Sequence, residues 1–173
     1  MSDEKPAFVW DDPFLLDDQL SEEERMIRDM TRRFADERLM PVIVDWNRNE
    51  TFDRDLMKEF GELGFLGGVL EGYGCPGLGH VAYGLLCREL ERADTAFRSA
   101  VGVQSGLAMG AIHSYGSEEQ KQRFLPKMAS GEHIGCFGLT EPDHGSDPSG
   151  MRSRAKKDGA GYRMTGNKIW ITN

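Results

Sequence analysis

The 173-residue chain changes character at the stretch Ile134-Gly-Cys-Phe-Gly-Leu-Thr-Glu-Pro-Asp-His-Gly-Ser-Asp147. Before this stretch, apolar residues recur at spacings of three and four, which is typical of amphipathic helices. Residues 134–140 form a short apolar run bounded by turn residues, as expected of a buried strand. Residues 153–157, 162–165 and 168–172 predict further strands, joined by turns at residues 159–161 and 166–167. The sequence therefore predicts an α-helical domain over residues 1–133, followed by the first strands of a β-rich domain over residues 134–173.

Two capping signals locate helix starts in the first part of the chain. Ser21 with Glu24, and Ser117 with Gln120, have the spacing of a capping box. In this motif each side chain accepts a hydrogen bond from the other residue's backbone N–H. A helix is therefore predicted to begin after Ser21 and another after Ser117.

The inward faces of three helices follow from the apolar spacing. Asp53 is the predicted N-cap of the second helix and Gly64 its C-terminal glycine. A third helix is predicted over residues 80–92, and a fourth, rich in small residues, over residues 95–115. The residues predicted to face the core are Ile27, Met30 and Phe34 in the first helix, Leu56, Met57, Phe60 and Leu63 in the second, and Val81, Leu85 and Leu90 in the third.

A glycine-rich segment, Gly72-Tyr-Gly-Cys-Pro-Gly77, matches the G-x-G-x-x-G pattern of dinucleotide-binding proteins. That pattern binds a pyrophosphate only where it joins a strand to a helix within a βαβ unit. Here both flanks are predicted to be helical, and Pro76 lies inside the turn. The segment is therefore interpreted as an interhelical loop and not as a nucleotide site.

Composition excludes several classes of protein. The net charge of -8 argues against a nucleic-acid partner, because a phosphate-binding surface needs an excess of Lys and Arg. Three cysteines without a C-x-x-C pair predict neither a zinc site nor a redox pair, but reduced thiols. No apolar run approaches the roughly 20 residues of a membrane span. The acidic start at residues 1–6 resembles no leader, so a bacterial cytoplasmic location is expected, with the mitochondrial matrix as the alternative.

Two sites hold side chains suited to ligand binding. Around the stretch 138–147, Thr140 and Ser146 offer hydroxyl donors, and Gly145 allows close approach of a planar or anionic ligand. Judged by chemistry alone, a polar β-turn is the favoured interpretation. Arg98-Ser99 lies in the otherwise uncharged stretch 97–111, which is predicted to be buried, so the guanidinium needs an anionic partner. An internal ion pair with Glu91 or Asp94 is the simpler interpretation.

The stretch Gly138-Leu-Thr-Glu-Pro-x-x-Gly-Ser-Asp147, followed by Trp170-Ile-Thr172, resembles the signature elements of the acyl-CoA dehydrogenase family. Segments along nearly the whole chain are similar to the glutaryl-CoA dehydrogenase branch of that family. They include Trp10-Asp-Asp-Pro13, Glu37-Arg-Leu-Met-Pro41, Asn47-Arg-Asn-Glu50 and Arg88-Glu-Leu-Glu-Arg92. His144 departs from the family pattern, which usually has a small residue at that position.

The resemblance implies an FAD-binding enzyme of which this chain holds one side of the active site. It implies that Arg98 and Ser99 contact the distal carboxylate of the substrate, with Glu91 nearby, and that Ser146 reaches both cofactor and thioester. It places the catalytic glutamate beyond Asn173, so no catalytic residue is assigned in this chain. The residues that it places against the flavin are Phe137, Gly138, Leu139, Thr140, Gly145, Ser146, Trp170, Ile171 and Thr172.

The implied reaction is α,β-dehydrogenation of an acyl-CoA thioester, with oxidative decarboxylation of glutaryl-CoA to crotonyl-CoA favoured. An electron-transfer flavoprotein as acceptor and a homotetramer are also implied. The 173 residues alone are expected to be inactive and to bind FAD poorly. Two alternatives stay open: a dehydrogenase of another short-chain acyl-CoA, and a helical module that has kept the scaffold without catalysis. The resemblance leaves open whether a member of this branch decarboxylates its product.

Overall fold

The structure, a computed structural model, describes residues 8–173, so the predicted lack of a leader at residues 1–6 lies outside the described residues. The helices are α1 (Leu16–Gln19), α2 (Glu22–Phe34), α3 (Met40–Asn49), α4 (Leu56–Glu62), α5 (His80–Ala93), α6 (Thr95–Gly102), α7 (Gly110–Tyr115) and α8 (Glu118–Ala129). A 3-10 turn (Pro148–Gly150) and two strands, β1 (Arg154–Asp158) and β2 (Gly161–Thr165), follow. The predicted order of helices first and strands second is confirmed. Of the helices described, none is long and apolar enough to span a membrane.

Two π-helical segments join neighbouring helices into longer rods. Ala35–Leu39 connects α2 to α3, and Val103–Met109 connects α6 to α7, so that residues 95–115 form the continuous helix predicted. In the first segment the backbone N–H of Met40 donates to the carbonyl of Ala35, one residue further back than in an α-helix. Pro41 then lies in the first turn of α3, directly after the π-helical segment, and contributes no backbone N–H to the rod. Pro41 is thus among the first residues of α3.

Both predicted capping boxes are confirmed. The N–H of Glu24 donates to Ser21 Oγ over 3.2 Å, and the N–H of Ser21 donates to Glu24 Oε2 over 2.8 Å. The corresponding bonds between Ser117 and Gln120 measure 3.3 and 2.8 Å. Four backbone donors that the helices cannot use internally are satisfied in this way, which fixes the first residues of α2 and α8.

The core of the helical domain is formed by α2, α4, α5 and α6 and by the segment that follows α4. The largest fully buried side chains include Phe60, Phe65, Phe97, Leu86 and Leu90. Two residues predicted to face inward do not: Met30 is 37% exposed and Val81 is 53% exposed. Both lie at the edge of a buried stripe, since each residue advances about 100° around a helix and Val81 precedes the buried Ala82 by one position. Spacing of three and four alone does not show where such a stripe ends.

Helix α4 ends as predicted but begins differently. Gly64 has φ 71°, and the bonds from Gly64 N–H to the Gly61 carbonyl and from Phe65 N–H to the Phe60 carbonyl form a Schellman motif. Asp55 occupies the N-cap position, so the prediction of Asp53 as N-cap is wrong. Asp53 Oδ1 instead accepts from the N–H of Asp55 over 3.0 Å, which stabilises the turn before the helix.

The end of α8 passes very close to α4, at Gly61. A Cβ atom on Gly61 would overlap the backbone carbonyl of Ser130, which cannot move without displacing the chain. We expect Gly61→Ala to lower the free energy of unfolding by about 2 kcal/mol through overpacking. The matched control is Gly84→Ala in α5, where a Cβ would meet nothing within 4 Å and helix propensity predicts a gain of up to about 1 kcal/mol. Urea unfolding followed by circular dichroism measures both, and equal effects of the two substitutions would contradict this packing.

The C-terminal part contains one antiparallel hairpin, β1–β2, with Ala155 opposite Met164 and Asp158 opposite Gly161. Two of the four predicted strands are thus confirmed to within one residue. Residues 134–140 and 168–172 are not strands, since only one backbone bond, from Ile169 N–H to the Thr140 carbonyl over 3.0 Å, joins them. A strand needs a continuous ladder of such bonds, and apolar composition alone does not supply the partner.

Candidate active-site wall

The two segments that carry the predicted cofactor residues lie side by side. Besides the bond from Ile169 N–H to the Thr140 carbonyl, Lys168 Nζ donates to the Leu139 carbonyl over 2.7 Å. The first segment follows the helical domain and the second follows the hairpin, so the chain returns to its starting point after about 30 residues. This pairing places residues 137–146 and 170–172 on neighbouring stretches of chain.

Glu141 connects the two segments through hydrogen bonds and an ion pair. Its carboxylate is 5% exposed and accepts from the N–H of Arg152 over 2.7 Å, the N–H of Ser153 over 2.9 Å and Lys168 Nζ over 3.0 Å. The Arg152 N–H contributes most to holding the pKa of this carboxyl far below its usual range, and partial burial opposes the shift. The carboxylate is therefore ionised at all ordinary pH values and joins the loop, the start of β1 and the segment before Trp170.

Glu141 and His144 are the two ends of a tight turn. Each residue's backbone N–H donates to the other's carbonyl over 3.1 Å, which makes a tight turn around Pro142 and Asp143. The imidazole ring packs against Gly150, where a Cβ would come within 2.5 Å of ring atoms. A larger side chain than the family's usual one is accommodated here because residue 150 is glycine.

A cavity of about 550 Å³ lies between the helical domain and the last residues of the chain. Ser99, predicted at the distal end of the substrate, and Thr172, predicted beside the flavin, both line it. The side chain of Asn173 closes one side, donating from Nδ2 to the Ala100 carbonyl over 3.1 Å and the Gly135 carbonyl over 3.2 Å. The complete lining is Phe52, Arg54, Met57, Ala96, Ser99, Ala100, Ile134, Thr172 and Asn173.

Arg98 does not line this cavity. Its Nε lies 3.4 Å from Glu91 Oε2, and both side chains are about half exposed, so the prediction of a buried guanidinium is wrong. The reason is helical phase: Phe97, Ala100 and Val101 form the buried face of α6. Of the two ion-pair partners considered for Arg98, Glu91 is the one observed.

The remaining predicted cofactor residues do not share the cavity. Phe137 lies in a separate groove beside α7 and α8, and Gly138 lies against Lys168. Gly145 and Ser146 are exposed on the loop. Trp170 has φ 59° and is 87% exposed. The structure thus brings Ser99 and Thr172 together, whereas the indole of Trp170 is exposed and does not line this cavity.

The donors and surfaces present fit a flavin. Within residues 8–173, the hydroxyls of Thr140, Ser146 and Thr172 form no hydrogen bond to another side chain or to the backbone, and the indole of Trp170 is uncovered. An isoalloxazine is a flat ring system with apolar faces and a hydrogen-bonding edge, so free hydroxyls and an exposed indole suit it. Cofactors of this size usually bind in largely preformed sites that combine apolar contact with a few polar groups.

Three residues of this region were not predicted as functional. Arg54 precedes a helix among acidic neighbours, a setting typical of a solvated charge, and Asn173 had no motif to mark it. Lys168 was part of a predicted strand. These residues reach the site only because segments that are distant in sequence lie side by side in the fold. No local sequence pattern indicates that contact.

Comparison with known proteins identifies the family to which this fold belongs. The family described as "Acyl-CoA dehydrogenase, N-terminal domain" matches residues 21–132, which is more than half of the chain. The mitochondrial isovaleryl-CoA dehydrogenase of Pongo abelii is 39% identical over 157 residues, covering 89% of this chain and 37% of that protein.

Two solved structures share both fold and sequence with the chain. A crystal structure of glutaryl-CoA dehydrogenase from Mycobacterium smegmatis has a TM-score of 0.88 at 55% identity, covering 90% of this chain and 41% of that one. A glutaryl-CoA dehydrogenase from the same organism, in complex with FADH2, has a TM-score of 0.89 at 52% identity, covering 91% and 41%. The chain therefore spans about two fifths of the length of these relatives. With the family match over most of its helices, the chain belongs to the acyl-CoA dehydrogenase family.

Proposed function

We propose that this chain supplies one wall of the active site of an FAD-dependent dehydrogenase that introduces an α,β double bond into glutaryl-CoA. The observation that carries the proposal is the shared cavity. Ser99 of the helical domain and Thr172 of the C-terminal segment face the same space of about 550 Å³. The two similar glutaryl-CoA dehydrogenases, at 55% and 52% identity, support the choice of substrate.

The hydroxyls of Thr140, Ser146 and Thr172 are proposed to hold the cofactor edge, and Trp170 to cover its ring system. Phe137, Gly138, Leu139, Gly145 and Ile171 complete the proposed flavin contacts. FAD, when bound, accepts the β-hydrogen as hydride. Ser146 is also proposed to reach the thioester, where a donor stabilises the charge that develops at the carbonyl oxygen when the α-proton leaves.

The general base is proposed to lie beyond Asn173. Glu141 cannot serve, because three donors already occupy its carboxylate and its lowered pKa makes it a weak proton acceptor. Oxidative decarboxylation to crotonyl-CoA, an electron-transfer flavoprotein as acceptor, a homotetramer and a bacterial cytoplasmic location are further parts of the proposal. The resemblance to the family supports them, and the bacterial source of the two similar glutaryl-CoA dehydrogenases supports the location.

A second candidate is a dehydrogenase of an uncharged short-chain acyl-CoA. The ion pair between Arg98 and Glu91 favours this alternative, because a neutralised guanidinium attracts a substrate carboxylate less strongly. The 39% identity to an isovaleryl-CoA dehydrogenase also supports it.

The direct test uses the protein expressed from its complete reading frame. We expect a yellow protein that oxidises glutaryl-CoA and releases carbon dioxide. A colourless preparation that binds no FAD would favour the non-catalytic module, and a yellow protein that oxidises butyryl-CoA but not glutaryl-CoA would favour the second candidate.

We expect Arg98→Met to lower the ratio of kcat/KM for glutaryl-CoA to that for butyryl-CoA by on the order of tenfold. The physical reason is that a guanidinium grips a carboxylate through two parallel bonds that the methionine cannot make. Arg33→Met in α2, an exposed arginine outside the wall, is the control for loss of surface charge. Equal losses of kcat/KM with both thioesters would refute a role for Arg98 in binding the distal carboxylate.

A further inference from the structure

One face of the β1–β2 hairpin carries a concentration of positive charge. Arg154 and Lys156 lie on the same face of β1, because successive residues of a strand point to opposite sides. The register places Arg163 of β2 directly opposite Lys156 and Thr165 opposite Arg154, so these two also lie on that face. Together with Arg152, which precedes β1, they line a cavity of about 550 Å³.

The carboxylates near this face offset only part of its charge. Asp158 lies 2.8 Å from Arg163 Nη2, and Asp143 lies 3.7 Å from Arg152 Nη1. All four of these side chains are more than half exposed, and exposed ion pairs are weak. The two cations on β1 form no ion pair within the described part of the chain. The face therefore has a positive field, although the chain as a whole has a net charge of -8.

The pairing of Lys156 with Arg163 works against the stability of the hairpin. Directly opposite residues of an antiparallel pair have their Cβ atoms about 5 Å apart, and like charges at that spacing destabilise the pair. An anion bound between the two strands would attract both side chains and remove this repulsion. Anion binding on this face would therefore stabilise the hairpin.

The chemistry of the lining favours phosphate among the possible anions. A phosphate group carries up to two negative charges and three free oxygen atoms, whereas a carboxylate carries one charge and two oxygen atoms. Guanidinium groups bind phosphate through paired hydrogen bonds, and a threonine hydroxyl can add a further donor. The lining contains no hydrophobic residue of the described range that would suit an acyl chain. It consists of Arg152, Arg154, Lys156, Arg163, Thr165 and Gly166.

We infer that this face of the hairpin binds the phosphate groups of a small ligand that carries two or more of them. A ligand of that size responds to the local field, whereas a nucleic acid would need a larger excess of Lys and Arg. Two sources share this chemistry, the nucleotide end of an acyl-CoA thioester and a free nucleotide. The N–H of Arg152 donates to Glu141 over 2.7 Å, so the face begins directly beside the loop 138–147. The inference goes beyond the proposed function and does not depend on it.

The test uses Lys156→Glu in the protein expressed from the complete reading frame. This substitution removes positive charge from the face and places opposite charges across from each other at Arg163, which stabilises the hairpin. Lys157→Glu is the matched control, because Lys157 lies opposite Tyr162 on the other face and the change in net charge is the same. Isothermal titration calorimetry at constant ionic strength measures binding of adenosine 3′,5′-bisphosphate, with adenosine as the uncharged ligand.

We expect Lys156→Glu to raise the dissociation constant of the bisphosphate at least about tenfold and Lys157→Glu to raise it less than about twofold. Urea unfolding should show Lys156→Glu to be at least as stable as the wild type, so that the loss of binding does not come from unfolding. Equal effects of the two substitutions overturn the inference. A wild-type protein that binds the bisphosphate no better than adenosine also overturns it.

Steady-state kinetics distinguishes the two sources of phosphate. If the ligand is the nucleotide end of the substrate, Lys156→Glu raises KM for glutaryl-CoA but not for glutaryl-pantetheine, which has no phosphate. If the ligand is a free nucleotide, both KM values stay at the wild-type level. Either result, with the weakened bisphosphate binding, supports the phosphate site. A protein that binds the bisphosphate but oxidises no thioester defeats the proposed function and leaves this inference standing, so the two failures are distinguishable.

Discussion

Replacing Glu141 by glutamine is expected to raise the dissociation constant of FAD by at least about tenfold in the protein expressed from its complete reading frame. The carboxylate receives two backbone N–H bonds and the ammonium of Lys168 within 3.0 Å. A neutral amide has one acceptor oxygen, and its NH2 group would face the donors of Arg152 or Ser153. The loop that bears Thr140 and Ser146 would then separate from the segment that bears Trp170 and Thr172.

Two measurements distinguish this positioning role from a general loss of stability. The backbone amides of Arg152 and Ser153 should exchange with deuterium faster in Glu141→Gln, whereas amides within α2 and α5 should keep their protection. The flavin absorption spectrum of the reloaded variant should shift, because the edge of the ring system loses its fixed donors. Glu132→Gln removes an exposed carboxylate that pairs with Lys127 at the surface and serves as the control.

Lys168 allows the pair to be tested by a double-mutant cycle. If the ammonium acts through Glu141, Lys168→Met and Glu141→Gln together should weaken FAD binding by less than the product of the single effects. Wild-type FAD affinity in Glu141→Gln, with unchanged exchange at Arg152 and Ser153, would refute the role assigned to this carboxylate.

The helical domain could be predicted because its signals are local. A capping box and a C-terminal glycine report on residues three to five positions apart, and both Ser21–Glu24 and Gly64 behave as the sequence predicts. The errors at Met30 and Val81 arise at the edge of a buried stripe, whose width depends on what packs against the helix and not on the helix's own sequence. The residues 134–140 and 168–172 show the same limit more strongly, because a strand exists only through its partner.

For the candidate site, the sequence predicts which types of residue are present but not which of them lie together in the fold. Thr172 and Ser99 were expected in the same site and do share a cavity, yet Phe137 lies in a different groove and the exposed Trp170 does not line the cavity. The prediction of Arg98 as a buried cation is wrong because each residue advances about 100° around the helix, which places Arg98 beside, and not on, the buried face formed by Phe97, Ala100 and Val101.

The second large effect is expected at Glu89, whose carboxylate is 1% exposed between α2 and α5. Arg32 donates to it from Nε over 3.0 Å, Arg88 from Nη2 over 2.9 Å and Arg92 from Nε over 3.1 Å. Burial by itself raises the pKa of Glu89, but the hydrogen bonds from the three arginines outweigh burial and leave that pKa below its usual value. The ionised carboxylate therefore stabilises the contact between the two helices.

Glu89→Ala is expected to lower the free energy of unfolding at pH 7 by about 3 kcal/mol, because three guanidinium groups lose their common partner and a buried space opens. The exposed Glu119→Gln in α8 is the control and should change stability by less than about 0.5 kcal/mol. Urea unfolding of the protein expressed from its complete reading frame, monitored by the helical circular dichroism signal, provides both values.

The pH dependence gives this contact a signature of its own. Since the folded pKa of Glu89 is lowered, its contribution is complete above the ordinary glutamate value of 4.5 and is lost as the pH falls below that value toward the folded pKa. Glu89→Gln cannot be protonated, so its stability should fall less steeply than that of the wild type below about pH 4.5. Parallel curves for the two proteins in that range would mean that the carboxylate gains nothing from its arginines on folding.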